Sequence, residues 1–226
     1  MTNFTISDEV RAIGLRGSYL IAKGLRNTHE STEFSSVRQE WINQILPYLN
    51  EDQIAGNLVL AGFRELHCRV GVSNRKHISS PENMLLSLLR TGTVPSISLL
   101  VDIYNYVSLK YCLAIGAHDI AHVSGNISLR MTSGTERFQP LGYDKTKPIG
   151  KGEYAYIDDD NEVICRLEVR QVEKTKVTLD SSECFFIVQG NANTSCELIM
   201  NACTELIELT SKYCGGEFHY LHKCLL

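Results

Sequence analysis

Two stretches of this chain carry residue types that could do chemistry. The first runs Tyr104-Asn105-Tyr106 and then Gly116-Ala117-His118-Asp119, with His122 close behind. An asparagine carboxamide both donates and accepts, and a histidine beside an aspartate can be oriented as a proton carrier. The plainer account of such a His-Asp pair is a helix cap or a surface contact. The second stretch is Arg166-Leu167-Glu168-Val169-Arg170-Gln171-Val172-Glu173-Lys174-Thr175-Lys176. Read as a strand, its alternation puts Glu168 and Arg170 on one face and Leu167 and Val169 on the other. That face is either solvated, with cross-strand ion pairs worth little each, or a pocket wall aimed at a charged ligand.

The familiar catalytic spellings are absent. The chain holds no G-x-x-x-x-G-K-[ST], G-x-S-x-G, H-E-x-x-H or G-x-G-x-x-G, so phosphate-loop use of ATP has no support. Asp158-Asp159-Asp160-Asn161 lacks the remaining calcium-ligand spacing and reads as a hairpin tip. His219, His222 and Cys224 read as an ordinary C-terminal segment, and no metal or cofactor is expected. Net charge is −4, so a broad phosphate footprint is not expected and any RNA contact should be local. The eight cysteines form no C-x-x-C. Scattered through predicted elements, they read as small buried hydrophobes in a reducing cytosol. With no apolar run suited to a signal peptide or a bilayer span, a cytoplasmic protein with no membrane partner is expected.

The elements that must position these residues follow from periodicity. Val37, Trp41, Ile45 and Leu49 mark a helix that Pro47 weakens. Ile54, Leu58 and Ala61 mark another over Glu51 to Leu66, with a strand over Leu58-Val59-Leu60 as the alternative. Ser79-Ser80-Pro81-Glu82 offers a capping hydroxyl and an early proline for a helix stopping at Gly92. A second helix follows Pro95. From about Gly125 the rhythm becomes two, with strand-like runs at 126–131, 138–141, 153–157, 163–169, 176–179 and 184–188. A last helix, Cys196 to Tyr213, starts at Thr194 or Ser195 and ends at Gly215-Gly216. The order predicts an α+β fold with a mixed or antiparallel sheet flanked by helices. A helical N-terminal region, 1–93, packs on a core over 94–226, and the chemistry is concentrated between Val94 and Gly190. At 226 residues the chain fits one large domain and is no self-sufficient multi-domain enzyme.

With these residues in view, Val94 to about Gly190 resembles the B3/B4 domain of the phenylalanyl-tRNA synthetase β-subunit. The resemblance rests on Asp102-Ile103-Tyr104-Asn105-Tyr106-Val107-Ser108, Ile115-Gly116-Ala117-His118-Asp119, the strand Ile127 to Arg130, the turn Asp158 to Asn161, and Arg166 to Thr178. It implies a β-rich core and hydrolysis of tyrosine wrongly attached to phenylalanine tRNA. A pocket that admits a phenyl ring excludes a phenol poorly, so a second site must read the hydroxyl. Asn105 and Tyr106 match the module's Asn-Tyr pair, and Glu173 falls near its editing glutamate. Two departures stand beside these matches. Gln171-Val172 replaces a Gly-Gly, and the histidine of a Pro-Leu-His-Ala-Phe-Asp stretch has either moved by two residues, to His118, or been lost, with His118 a coincidence.

The resemblance therefore implies a tRNA-binding protein that deacylates mischarged aminoacyl-tRNA in trans, with the aminoacyl-tRNA 3′ end as partner and no role for DNA. In this reading Arg166, Arg170 and Lys176 hold phosphate or carboxylate. Tyr104, Asn105, Tyr106 and Glu173 line the amino-acid site, and His118 with Asp119 orders the water. No class II catalytic core is recognisable, so the chain is not a complete phenylalanine–tRNA ligase. The alternative that stays open is a non-enzymatic small-molecule binder using the same pocket for a free amino acid.

Overall fold

A computed structural model describes residues 2–224. In chain order the elements are β1 (Phe4–Ile6), α1 (Asp8–Ala12), β2 (Arg16–Leu25), α2 (Thr32–Ile45), α3 (Glu51–Gly56), α4 (Leu58–Arg69), α5 (Ser80–Thr91), α6 (Leu99–Tyr111) and β3 (Ala114–Asp119). A 3-10 turn (Ile120–His122) leads to β4 (Ile127–Met131), β5 (Tyr154–Asp158), β6 (Val163–Arg166), β7 (Arg170–Gln171), β8 (Glu183–Gly190), α7 (Cys196–Cys214) and β9 (Gly215–His222). The strands form two sheets, ordered β1-β4-β5-β6-β7 and β3-β8-β2-β9. Only the β1–β4 pairing is parallel; the other ladders are antiparallel. This is the α+β, mixed-sheet architecture that the order of elements implied.

The four-stranded sheet is the middle layer. Successive side chains of a strand point to opposite faces, and here both faces are covered. Leu20, Ala22, Ile115, Ala117, Phe186 and Val188 join the cluster built by α6 and α7. Tyr19, Ile21, Ala114, Phe185 and Ile187 join Leu129, Tyr154 and Tyr156 of the five-stranded sheet. Strand β2 is therefore buried from Gly17 to Ala22, and its sequence, apolar from Tyr19 to Ala22, shows no alternation. Periodicity anticipated neither this central strand nor β1, α1, β3 and β9, and the stretch 1–93, expected to be helical, contains β1 and β2.

Several expected starts and stops are realised by different atoms. Ser79 precedes α5 but makes no side-chain capping bond; its buried hydroxyl has no partner among the described residues. The helix does end at Gly92, whose φ of +71° suits a residue without Cβ. The helix expected after Pro95 begins only at Leu99. Asp102 turns back to accept from Ile97 N (2.9 Å) and Ser96 Oγ (2.5 Å), while Asn27 Oδ1 accepts from Leu100 N at 3.0 Å. The segment Glu51 to Leu66 is helical but breaks at Asn57, whose carboxamide oxygen caps α4 by accepting from Val59 N and Leu60 N. Residues 138–141 and 176–179 lie outside the named strands; in the first run only the isolated bridge Pro140↔Val172 forms.

The cysteines correct one expectation. Cys196 and Cys224 form a disulfide with a Cα–Cα distance of 5.3 Å, because α7 runs out and β9 returns beside it to the helix start. The other six are free; Cys165, Cys184, Cys203 and Cys214 are buried as small hydrophobes, whereas Cys68 is exposed and Cys112 partly so. No described helix is long and apolar enough to cross a membrane.

Candidate functional site

A cavity of about 380 Å³ opens where α6, β3 and the segment 165–177 meet. Its floor is β3. Ala114 and His118 share one face of that strand with Gly116 between them, and all three line the hollow. Asn105 and Tyr104 reach it from α6, and Arg170, Gln171 and Lys176 from the far wall.

His118 is 1 % exposed. Its Nδ1 lies 2.9 Å from the hydroxyl of buried Thr175, whereas its Nε2 is buried without a hydrogen-bond partner among the described residues. Burial pushes its pKa down to about 4, so the ring is neutral at pH 7, and the residue lines the cavity with one ring nitrogen unengaged among the described residues. The side chains of Asn105 and Arg170 also make no hydrogen bond or ion pair among the described residues. A neutral imidazole, a carboxamide and a guanidinium are thus unengaged at one hollow, a set able to hold a polar ligand with carbonyl, amine and anionic groups.

The opposite end is closed by a buried network. Glu168, 5 % exposed, accepts from the Tyr154 hydroxyl and from Gln189 Nε2 at 3.2 Å. His67 Nε2 lies 2.5 Å from its other oxygen. Gln189 Oε1 accepts from the Tyr156 hydroxyl at 2.5 Å, and His67 Nδ1 sits 3.0 Å from Asn74 Oδ1. Burial opposes a charge on His67, but the hydrogen bond and the negative charge of Glu168 outweigh it and raise its pKa. Burial and neighbouring Glu168 push the Tyr154 hydroxyl and the Cys165 thiol far up, so neither ionises.

The structure separates the residues singled out by sequence. Tyr104, Asn105, His118, Arg170 and Lys176 come together at the cavity; Tyr106, Asp119, Arg166 and Glu173 do not line it. Tyr106 lies on the other side of α6, packed edge-on against Phe34 and Trp41. Asp119 follows His118 in a strand and so points away from it; it accepts from Ser181 Oγ at 2.6 Å and from Ala121 N. The His118–Asp119 dyad is therefore not formed, and Thr175 is the histidine's partner. Arg166 is bound by both Glu153 oxygens, at 2.5 and 2.9 Å, and lies over the Phe138 ring. Glu173 sits outside the hollow, bound to Lys176 and to Gly142 N, so the Lys176 ammonium is not free.

The supposed strand 163–169 is also two pieces. Strand β6 stops at Arg166, and Leu167 takes a φ of +53°, which breaks the alternation and turns Glu168 inward while Arg170 stays exposed. Glu168, raised only as one reading of the strand face, Thr175 and Gln189 were not assigned as site residues. Only the composition of 166–176 signalled the first two, and nothing local signals Gln189. Among the described residues no group of three or more His, Cys, Asp or Glu side chains is placed to hold a metal ion.

The α+β module thus holds a partly apolar hollow at the edge of a sheet with a few unengaged polar groups. Residues 63–215 match the model of the B3/4 domain, and the chain belongs to that family. The fold is similar to that of an N-terminal fragment of the phenylalanyl-tRNA synthetase β-subunit from Pyrococcus horikoshii, with a TM-score of 0.51 and 16 % sequence identity. That match covers 96 % of this chain and 50 % of the other, so the chain spans about half the length of that fragment. No curated protein matches the sequence.

Proposed function

We propose that the chain binds the acylated 3′ end of a tRNA and hydrolyses the aminoacyl ester in trans, without charging tRNA itself. The observation that carries this reading is the unpartnered Nε2 of buried His118 beside a hollow that Asn105 and Arg170 also line. Membership of the B3/4 family and the fold's likeness to the synthetase fragment support a tRNA-related ligand.

In this reading His118 donates Nδ1–H to Thr175 Oγ1 and accepts at Nε2 a hydrogen bond from water. The water oxygen attacks the ester carbonyl carbon. The bond to the ribose oxygen then breaks, that oxygen takes up the proton, and the free amino acid and the uncharged tRNA leave. With its low pKa the imidazole orients the water more than it stores its proton. Asn105 pairs with the amino acid's polar groups, and Arg170 faces the phosphate.

The test is deacylation of a panel of mischarged tRNAs by purified protein. Hydrolysis of at least one ester, lowered ~10²-fold or more in His118→Ala, is the expected result. Esters that survive the whole panel, or equal rates for the variant, would sink the enzymatic reading.

One observation favours a second reading, a non-enzymatic binder of a free amino acid. Lys176 is tied to Glu173, so Arg170 is the one cavity cation without a partner among the described residues, a sparse grip for RNA. Thermal stabilisation by free amino acids, with no shift on adding tRNA, would favour that binder.

A further inference from the structure

Gly116 lies midway between Ala114 and His118 on the strand that floors the cavity. A Cβ placed there would meet Gln171 Nε2 at 2.7 Å, closer than a real side chain tolerates. The Gln171 carboxamide therefore rests on bare backbone, at a spot that any other residue at 116 would fill. Burial raises the pKa of the Tyr104 hydroxyl on α6, and the nearby Gln171 carboxamide partly offsets that rise. The backbone of Gln171 is clamped from two sides, paired with Cys165 across β6–β7 and accepting from Leu141 N at 2.9 Å. A positioned side chain thus links β3 to α6 across the hollow.

We propose that Gln171 is a specificity-determining partition, which confines the compartment beside His118 to small or branched aliphatic side chains and shuts out aromatic rings. Two residues of strand separate Gly116 from His118, about 7 Å of floor. That length takes the ester and a short side chain together. Beyond Gln171 the hollow ends on Glu168, which already accepts from Tyr154 and Gln189 and is bound to His67. A phenol reaching that end must compete with the donors already bound to Glu168, and displacing one of them strands a buried group.

This inference rests on the aminoacyl-ester reading, and the experiment keeps the two apart. Adenosine analogues carrying alanine, valine, phenylalanine or tyrosine through a non-hydrolysable 3′-amide are titrated calorimetrically. Wild-type protein is expected to bind the valine analogue about tenfold or more tighter than the two aromatic ones. Gln171→Gly should erase most of that preference, and Gln171→Ala, which keeps β7 stiffer, should reduce it. Aromatic analogues binding wild type as tightly as valine, or a preference unchanged in both variants, overturns the partition while leaving the ester reading intact. If no analogue binds wild type, the ester reading fails and the partition with it.

Discussion

At the Glu168 end of the cavity, Glu168, His67, Gln189 and the hydroxyls of Tyr154 and Tyr156 satisfy one another. At the His118 end the imidazole Nε2 is buried with no partner among the described residues. Both ends belong to one hollow, yet they stand in opposite relations to the fold. A buried polar network with every member engaged fixes the packing around it. A buried polar atom left alone costs stability, and its presence is explained when a ligand completes it. The difference separates residues that hold the wall from residues that wait for an occupant, although both sets are polar and both line the cavity.

Breaking the closed end should cost most. Glu168→Ala leaves His67 buried without its counter-charge, and we predict a loss of ~3–5 kcal/mol in unfolding free energy, read by urea denaturation. A loss below about 1 kcal/mol would mean that this network holds nothing.

The open end should show itself through pH. A histidine whose pKa falls to about 4 on folding leaves the unfolded chain binding more protons between the two values. Its contribution is present above the unfolded value of about 6.5 and is lost as pH falls toward 4, by roughly 3 kcal/mol. His118→Asn should flatten that acid limb relative to wild type; parallel stability curves between pH 7 and 4.5 would refute the assignment.

His67 carries the opposite sign. Its folded pKa is raised, so its contribution is whole below the unfolded value and fades as pH climbs through the folded one. In Glu168→Gln this alkaline loss should shrink, again measured against wild type by denaturation. Smallest of all is Lys176→Ala. The ion pair with Glu173 lies at the exposed mouth, and its removal should change stability by no more than ~0.5 kcal/mol.

The legible parts of the sequence were those where local spacing decides the outcome. Amphipathic α2, the αL stop at Gly92, the turn Asp158 to Asn161 and the long α7 all follow from neighbouring residues. What stayed hidden depends on partners far along the chain. Strand β2 is apolar on both faces because two layers cover it, and β3 looked like the end of a helix because Ala-Ile-Gly-Ala-His carries no alternation. The same cause divided the site. Asn105 and His118 carried their chemistry in residue type, whereas Glu173 and Glu168 exchanged places at a single left-handed residue, Leu167. No propensity rule puts a leucine at positive φ.

The reach of β2 beyond the family match bears on how the chain can be cut. The matched residues, 63–215, exclude Arg16–Leu25, the strand that lies between β8 and β9 and pairs with both. A fragment trimmed to those bounds would present the whole inner edge of β8 to solvent, a row of unpaired amides and carbonyls ready to recruit another chain. Aggregation, and not a minimal working domain, is what such a fragment should yield.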